Sequence, residues 1–269
     1  MYPIIDAHCH IYPDPIAQRA VDSVEDFYPE LPRGDQPDGT VKTLLALGRE
    51  AGVSRFVVHS VATLPHHVRS INRFIASSES MSGGRFFGLG TLHPDSEALD
   101  ADFDELLALG LHGVKLHPDI QKYRVDDPRI MRVFERCEAL GLPVLVHTGD
   151  YRYDNSNPDR VANVLRAFPR LKFIGAHFGG WSVWEEAAAK LADFGNLTVD
   201  SSSSLFWLSR ERARALADAY GDERILFGTD YPMWRHRPEI ERMLSLGFTD
   251  EQYRRIFSGN AARVYGISL

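Results

Sequence analysis

The sequence has little cysteine, no basic run, no nucleotide-type glycine loop and no apolar stretch of bilayer length. Its two cysteines, Cys9 and Cys137, are too few for a disulfide framework. Cys137 follows Val133 at i+4 in "MRVFERCEAL", the position of a small apolar residue on a buried helix face. Without a long apolar run there is no candidate for a spanning helix. The chain enters a strand within a few residues, which leaves no room for a charged and apolar leader, so a soluble, cytoplasmic protein is expected. A net charge of −7 with no cluster of Lys and Arg offers nothing to a phosphate backbone, and neither nucleic acid nor membrane is an expected partner. No GxGxxG follows the first strand, which argues against a dinucleotide fold. Internal repeats are absent too, and "SSSS" at 201–204 is the one low-complexity run.

What the chain does have is an alternating rhythm. Its 269 residues, 44% of them hydrophobic, suffice for one large core. Eight short apolar or β-branched runs recur: "PIIDAH", "SRFVVHSV", "RFFGLGTL", "HGVKLH", "PVLVHTG", "KFIGAH", "NLTVDS" and "RILFGTD". Helical spacing fills the intervals, as in "TVKTLLALGREAG", and several intervals close on a glycine where a left-handed cap is wanted. Eight βα units predict a single (β/α)8 barrel spanning 1–269. Residues 11–40 break the rhythm as a long loop after the first strand. A barrel site lies at that end of the strands, so the loop is a candidate lid.

The stretch "YPIIDAHCH" sets Asp6, His8 and His10 at every second position, one face of a strand, with Ile5, Ala7 and Cys9 on the other. Aligning the strands by their C-terminal ends adds Lys115 and His117 on the fourth, His147 on the fifth, His177 on the sixth and Asp230 on the eighth. In a barrel these ends converge. Imidazoles with a carboxylate suit one divalent transition metal, zinc first, with manganese, iron or cobalt as alternatives. Arg152, Trp181, Trp207, Trp234 and Arg235 fall in loops on the same face, where aromatics and an arginine would fit a small planar carboxylate. His66, His67 and His236 read as ordinary loop histidines, while His59 and His93 suit either the mouth or a structural role.

With "IIDAHCH", "GVKLHPDIQ", "GLPVLVHTG", "FIGAHFGG", "ILFGTDYP" and "FSGNAARVYG", the sequence resembles the amidohydrolase superfamily over almost its whole length. The resemblance is to the amidohydrolase-2 branch, which includes the aminocarboxymuconate-semialdehyde decarboxylase-like enzymes. It implies that His8, His10, His147 and Asp230 are metal ligands, that Asp230 is also the general base, and that His177 positions or polarises water or substrate. Asp6 would stand behind them, holding a ligand histidine or a neighbouring backbone group. Lys115 is either a charged donor to a substrate carboxylate, the reading preferred here, or a carbamylated bridge between two metals as in other superfamily members. His117 would join it or cap its loop.

The resulting expectation is a metal-dependent hydrolase acting on a small carboxylate-bearing ester, lactone or amide through metal-activated water. The alternative is non-oxidative decarboxylation of a small aromatic or muconate-type acid. A TatD-like nuclease would carry a glutamate in place of Lys115, and a barrel that only binds would have no need of the full histidine and aspartate set. The expected partner is a small-molecule substrate, with homo-oligomerisation left open.

Overall fold

The computed structural model describes residues 2–268. Nine short strands run in parallel: β1 (Ile5–His10), β2 (Arg55–His59), β3 (Phe86–Gly88), β4 (Gly90–Thr91), β5 (Val114–Leu116), β6 (Val144–Val146), β7 (Phe173–Gly175), β8 (Leu197–Asp200) and β9 (Ile225–Leu226). β3 and β4 are the two halves of one predicted strand. The Leu89 amide between them donates to Val58 O, and Gly90 N then turns to Gly113 O, so this strand passes from β2 to β5. At the remaining seam Ala7 N donates to Phe227 O (2.8 Å) and Asp230 N to His8 O (2.9 Å), which joins the chain after β9 to β1. The fold is the predicted eight-stranded TIM barrel.

Small apolar side chains fill its axis: Ile5, Ala7, Val57, Leu89, Leu145, Ile174, Ala176 and Leu226, with Val264, Tyr265 and Ile267 packed against them from the C-terminal segment. A second, larger apolar layer joins strands to helices. These helices begin and end where the sequence dictates. In α2 (Val41–Ala51) the Thr40 hydroxyl accepts from Thr43 N, and Gly52 (φ 79°) closes the last turn.

Three expectations need correction. The 11–40 segment is not all loop, because "AQRAVDSVEDF" forms helix α1 (Ala17–Phe27). The strict alternation in β1 fails as well. Asp6 pairs with Phe56 and Cys9 with Val58, so two residues of β1, Ala7 and His8, face one of β2, Val57. This bulge sets Ala7 and His8 both toward the barrel axis, whereas Asp6 and Cys9 point outward and group with His236. His236, the first residue of the helix His236–Ser245, is accordingly no loop residue: it is fully buried, with Nε2 3.2 Å from Asp6 Oδ2.

Candidate active site

At the C-terminal ends of the strands, His8 Nε2, His10 Nε2 and Asp230 Oδ1 form a triangle with sides of 3.3, 3.2 and 3.5 Å. Ligand atoms about 2.1 Å from one ion in tetrahedral array stand about 3.4 Å apart, so this donor set fits a divalent transition metal. The surrounding groups prepare it. Asp200 Oδ2 lies 2.9 Å from His8 Nδ1, fixing the ring proton there and leaving the Nε2 lone pair for the triangle. Burial and Lys115 press the His8 pKa down, but Asp200 and Asp230 outweigh them and raise it. Burial disfavours the Asp230 carboxylate too, yet the charge and hydrogen bond of His8 hold its pKa well below the usual range. Ser203 donates to Asp230 Oδ2 (2.5 Å), and the Trp234 indole donates to Ser203 (2.8 Å).

Asp6 holds the backbone rather than a ligand ring. Its Oδ1 accepts from the amides of His8 (3.1 Å) and Thr229 (3.0 Å), tying β1 to the chain that carries Asp230. Asp230 (φ 61°), His177 (φ 62°) and Ser203 (φ 46°) all occupy left-handed backbone, a conformation that L-residues keep only where their surroundings enforce it.

Lys115 is wholly buried, with Nζ 3.1 Å from His8 Nε2 and no ion pair among the described residues. Burial lowers its pKa to about 8, against the pull of Asp230 and Asp200. His147, expected beside His8 and His10, connects through another ring: its Nδ1 is 3.0 Å from His177 Nε2, and its Nε2 lies 3.0 Å from Gly149 O. Burial brings the His177 pKa down to about 4, which leaves the ring neutral near pH 7. His117 stacks on His147 at 3.9 Å and also caps the turn α3 (Pro118–Gln121) through Ile120 N. Gly149 (φ 77°) brings its loop so near the next that a Cβ would stand 2.6 Å from Gly180 Cα.

These groups floor a cavity of about 680 Å³ that Trp181 and Tyr28 also line. Tyr28, in the segment after β1, directs its hydroxyl at His117 Nε2 (3.1 Å) and His147 Nε2 (3.3 Å). The guanidinium of Arg152 is not in the cavity wall. It is paired with Asp150 (2.8 Å), donates to Phe27 O (2.7 Å) and lies over the Tyr28 ring at 4.8 Å, so it braces the segment that Tyr28 belongs to. Trp234 stands behind Asp230, and Trp207 and Arg235 also lie outside the lining. His59 is buried against His8 and His10, and neither ring nitrogen has a hydrogen-bond partner among the described residues.

Sequence reading missed Asp200, Ser203, Tyr28 and Ser202, whose hydroxyl lies 3.0 Å from His8 Nδ1 and 2.9 Å from His177 Nδ1. Asp200 ends β8 just as the chosen residues end their strands, so the same alignment would have found it. Nothing in the local sequence marks Tyr28.

The family model described as "Amidohydrolase" matches residues 5–267. A curated 2-amino-3-carboxymuconate-6-semialdehyde decarboxylase from Dictyostelium discoideum is 24% identical over 202 residues, 60% of this chain and 55% of that protein. The match therefore spans little more than half of the relative. Among solved structures, an uncharacterised TIM-barrel protein from Bordetella bronchiseptica superposes with a TM-score of 0.83 at 23% identity, covering 98% of each chain. A dihydroxybenzoic acid decarboxylase from Polaromonas with bound manganese and 2-nitroresorcinol gives 0.72 at 17% identity, covering 99% of this chain and 97% of that one. At these identities the structural matches speak to the fold. No helix among the described residues is long and apolar enough to cross a membrane.

Proposed function

The chain belongs to the amidohydrolase family, and from that premise we propose that it is a metal-dependent decarboxylase of an aromatic or unsaturated carboxylic acid. Decarboxylation, the alternative in the sequence reading, here takes precedence over hydrolysis. The named sequence relative is a decarboxylase. The observation that carries the acid is Lys115, a buried amine at the cavity floor with no ion-pair partner among the described residues. A buried charge without a counter-charge is costly, so the site favours a ligand that brings a carboxylate.

His8, His10 and Asp230 would hold the metal, with His147 joining them if its ring turns from His177. The bound ion would supply a fixed positive pole for orienting the acid. Lys115 pairs with the carboxylate on binding, and the neutral carbon dioxide that forms loses that charge attraction and leaves through a cavity lined by apolar Val24, Phe27 and Leu31. As the carbon–carbon bond breaks, its electron pair stays on the substrate carbon, which must then take a proton. Asp230, ionised at rest and held by Ser203, would relay this proton from water to the carbon, and neutral His177 on the same floor orients the acid.

The test is product analysis in heavy water, using Zn²⁺- or Mn²⁺-loaded protein with hydroxybenzoic and carboxymuconate-type acids. The proposal expects carbon dioxide release with deuterium at the vacated carbon. Solvent oxygen-18 entering the product of a lactone or ester, with no carbon dioxide from any acid, would return the assignment to hydrolysis.

A further inference from the structure

The cavity is not confined to the catalytic floor. It continues outward between two helices, α1 and the helix Val68–Met81 after β2. Each presents a stripe to it. From α1 and the residue before it come Ile16, Ala20, Val24 and Phe27, at the spacing of a single helical face. Ile71 and Phe74 face them from the other side.

Both stripes lie at the margin of the core, where Val24, Phe27, Ile71 and Phe74 are half-buried against it. α1 buries Ala17 and Val21, and the facing helix buries Val68, Asn72, Ile75 and Ser78. Beside its fully buried residues each helix therefore carries a half-buried apolar margin that lines the cavity, and Ile16 is 39% exposed there. An apolar face left in water needs an occupant to be favourable. At about 680 Å³, the cavity is in the range that holds drug-sized ligands and has room beyond one substituted ring.

We propose that the acid bound at Lys115 carries an extended apolar chain, laid between α1 and the Val68–Met81 helix. This deepens the decarboxylase reading and rests on its claim that the ligand is an acid. The continuity of groove and floor picks out the occupant: a chain attached to an acid held at Lys115 reaches the groove without leaving the cavity. The groove thus selects substrates by length, and the floor selects them by charge.

The experiment is calorimetric titration of Zn²⁺-loaded protein with salicylate and 4-alkylsalicylates from methyl to heptyl, with carbon dioxide release followed in parallel. Dissociation constants should fall roughly fourfold per added methylene until the groove is full, then level off. Ser23→Trp and Ser70→Trp each put an indole into the groove from an exposed position, one on either wall, so the fold is spared. Both should flatten the series and leave the binding of salicylate itself unchanged. A series flat in the unaltered protein, tryptophan variants that weaken short and long acids equally, or no binding by any member would each overturn the proposal. A flat series with carbon dioxide released from salicylate removes the groove and leaves the decarboxylase standing. A rising series with no carbon dioxide does the reverse.

Discussion

The hydroxyl of Tyr28 lies 3.3 Å from Nε2 of His147, across a sequence separation of 119 residues. It also meets His117, and Arg152 braces it from behind, so the segment after the first strand is fastened to the row of imidazoles on the cavity floor. The wall of the cavity and its chemistry share one hydrogen-bonded contact.

Replacing Tyr28 by phenylalanine removes that contact and keeps the ring. The variant should fold normally, as judged by circular dichroism. Its kcat should fall roughly two- to tenfold, the scale of one hydrogen bond, with a rise in KM as the segment loosens. Unchanged kcat and KM together would mean that the hydroxyl merely fills space.

Asp200→Asn keeps the shape behind His8 but removes the charge that fixes its tautomer. Competition against a chelator should show metal affinity about ten- to a hundredfold weaker. Equal affinity would show that His8 needs no such support.

Asp230→Asn should retain much of the metal and the fold while turnover drops by roughly a hundred- to ten-thousandfold, since an amide cannot carry the proton. Steady-state rates alongside elemental analysis separate this from simple metal loss. Wild-type turnover would dismiss the role given to Asp230.

Glu239 supplies a test independent of catalysis. It is fully buried, and burial lifts its carboxyl from 4.5 to about 7, more than Arg242 can offset. The folded chain binds this proton more tightly than the unfolded one. Its contribution is therefore whole below about 4.5 and is lost as the pH rises through about 7. Glu239→Gln, neutral throughout, should gain in melting temperature relative to the parent between pH 5 and pH 8. A difference that stays constant between those two pH values contradicts this account.

The strand-end rule was the most readable feature. His8, His10, Lys115, His117, His147, His177 and Asp230 come from separated runs, yet all line one cavity, because a barrel converges its strand ends whatever the intervening sequence. The rule recovered position better than partnership. His147 meets His177 rather than His8 because ring orientation depends on neighbours such as Gly149 O that no spacing reveals. Arg152 looked like a ligand for substrate because its partners, Asp150 excepted, come from a distant segment. The helix within 11–40 was hidden by composition: prolines and acidic residues on both sides made the whole stretch look irregular.

The bulge in β1 has a bearing on protein engineering. A designer copying "DAHCH" into a regular strand of another barrel would carry over the letters without the extra residue, and the histidines would no longer keep their relation to the wall behind them. With Asp6 turned outward, His8 and His10 would both follow it, because alternate residues of a regular strand share one face. The transferable unit is the motif together with its irregular backbone and the neighbouring strand edge against which the irregularity forms.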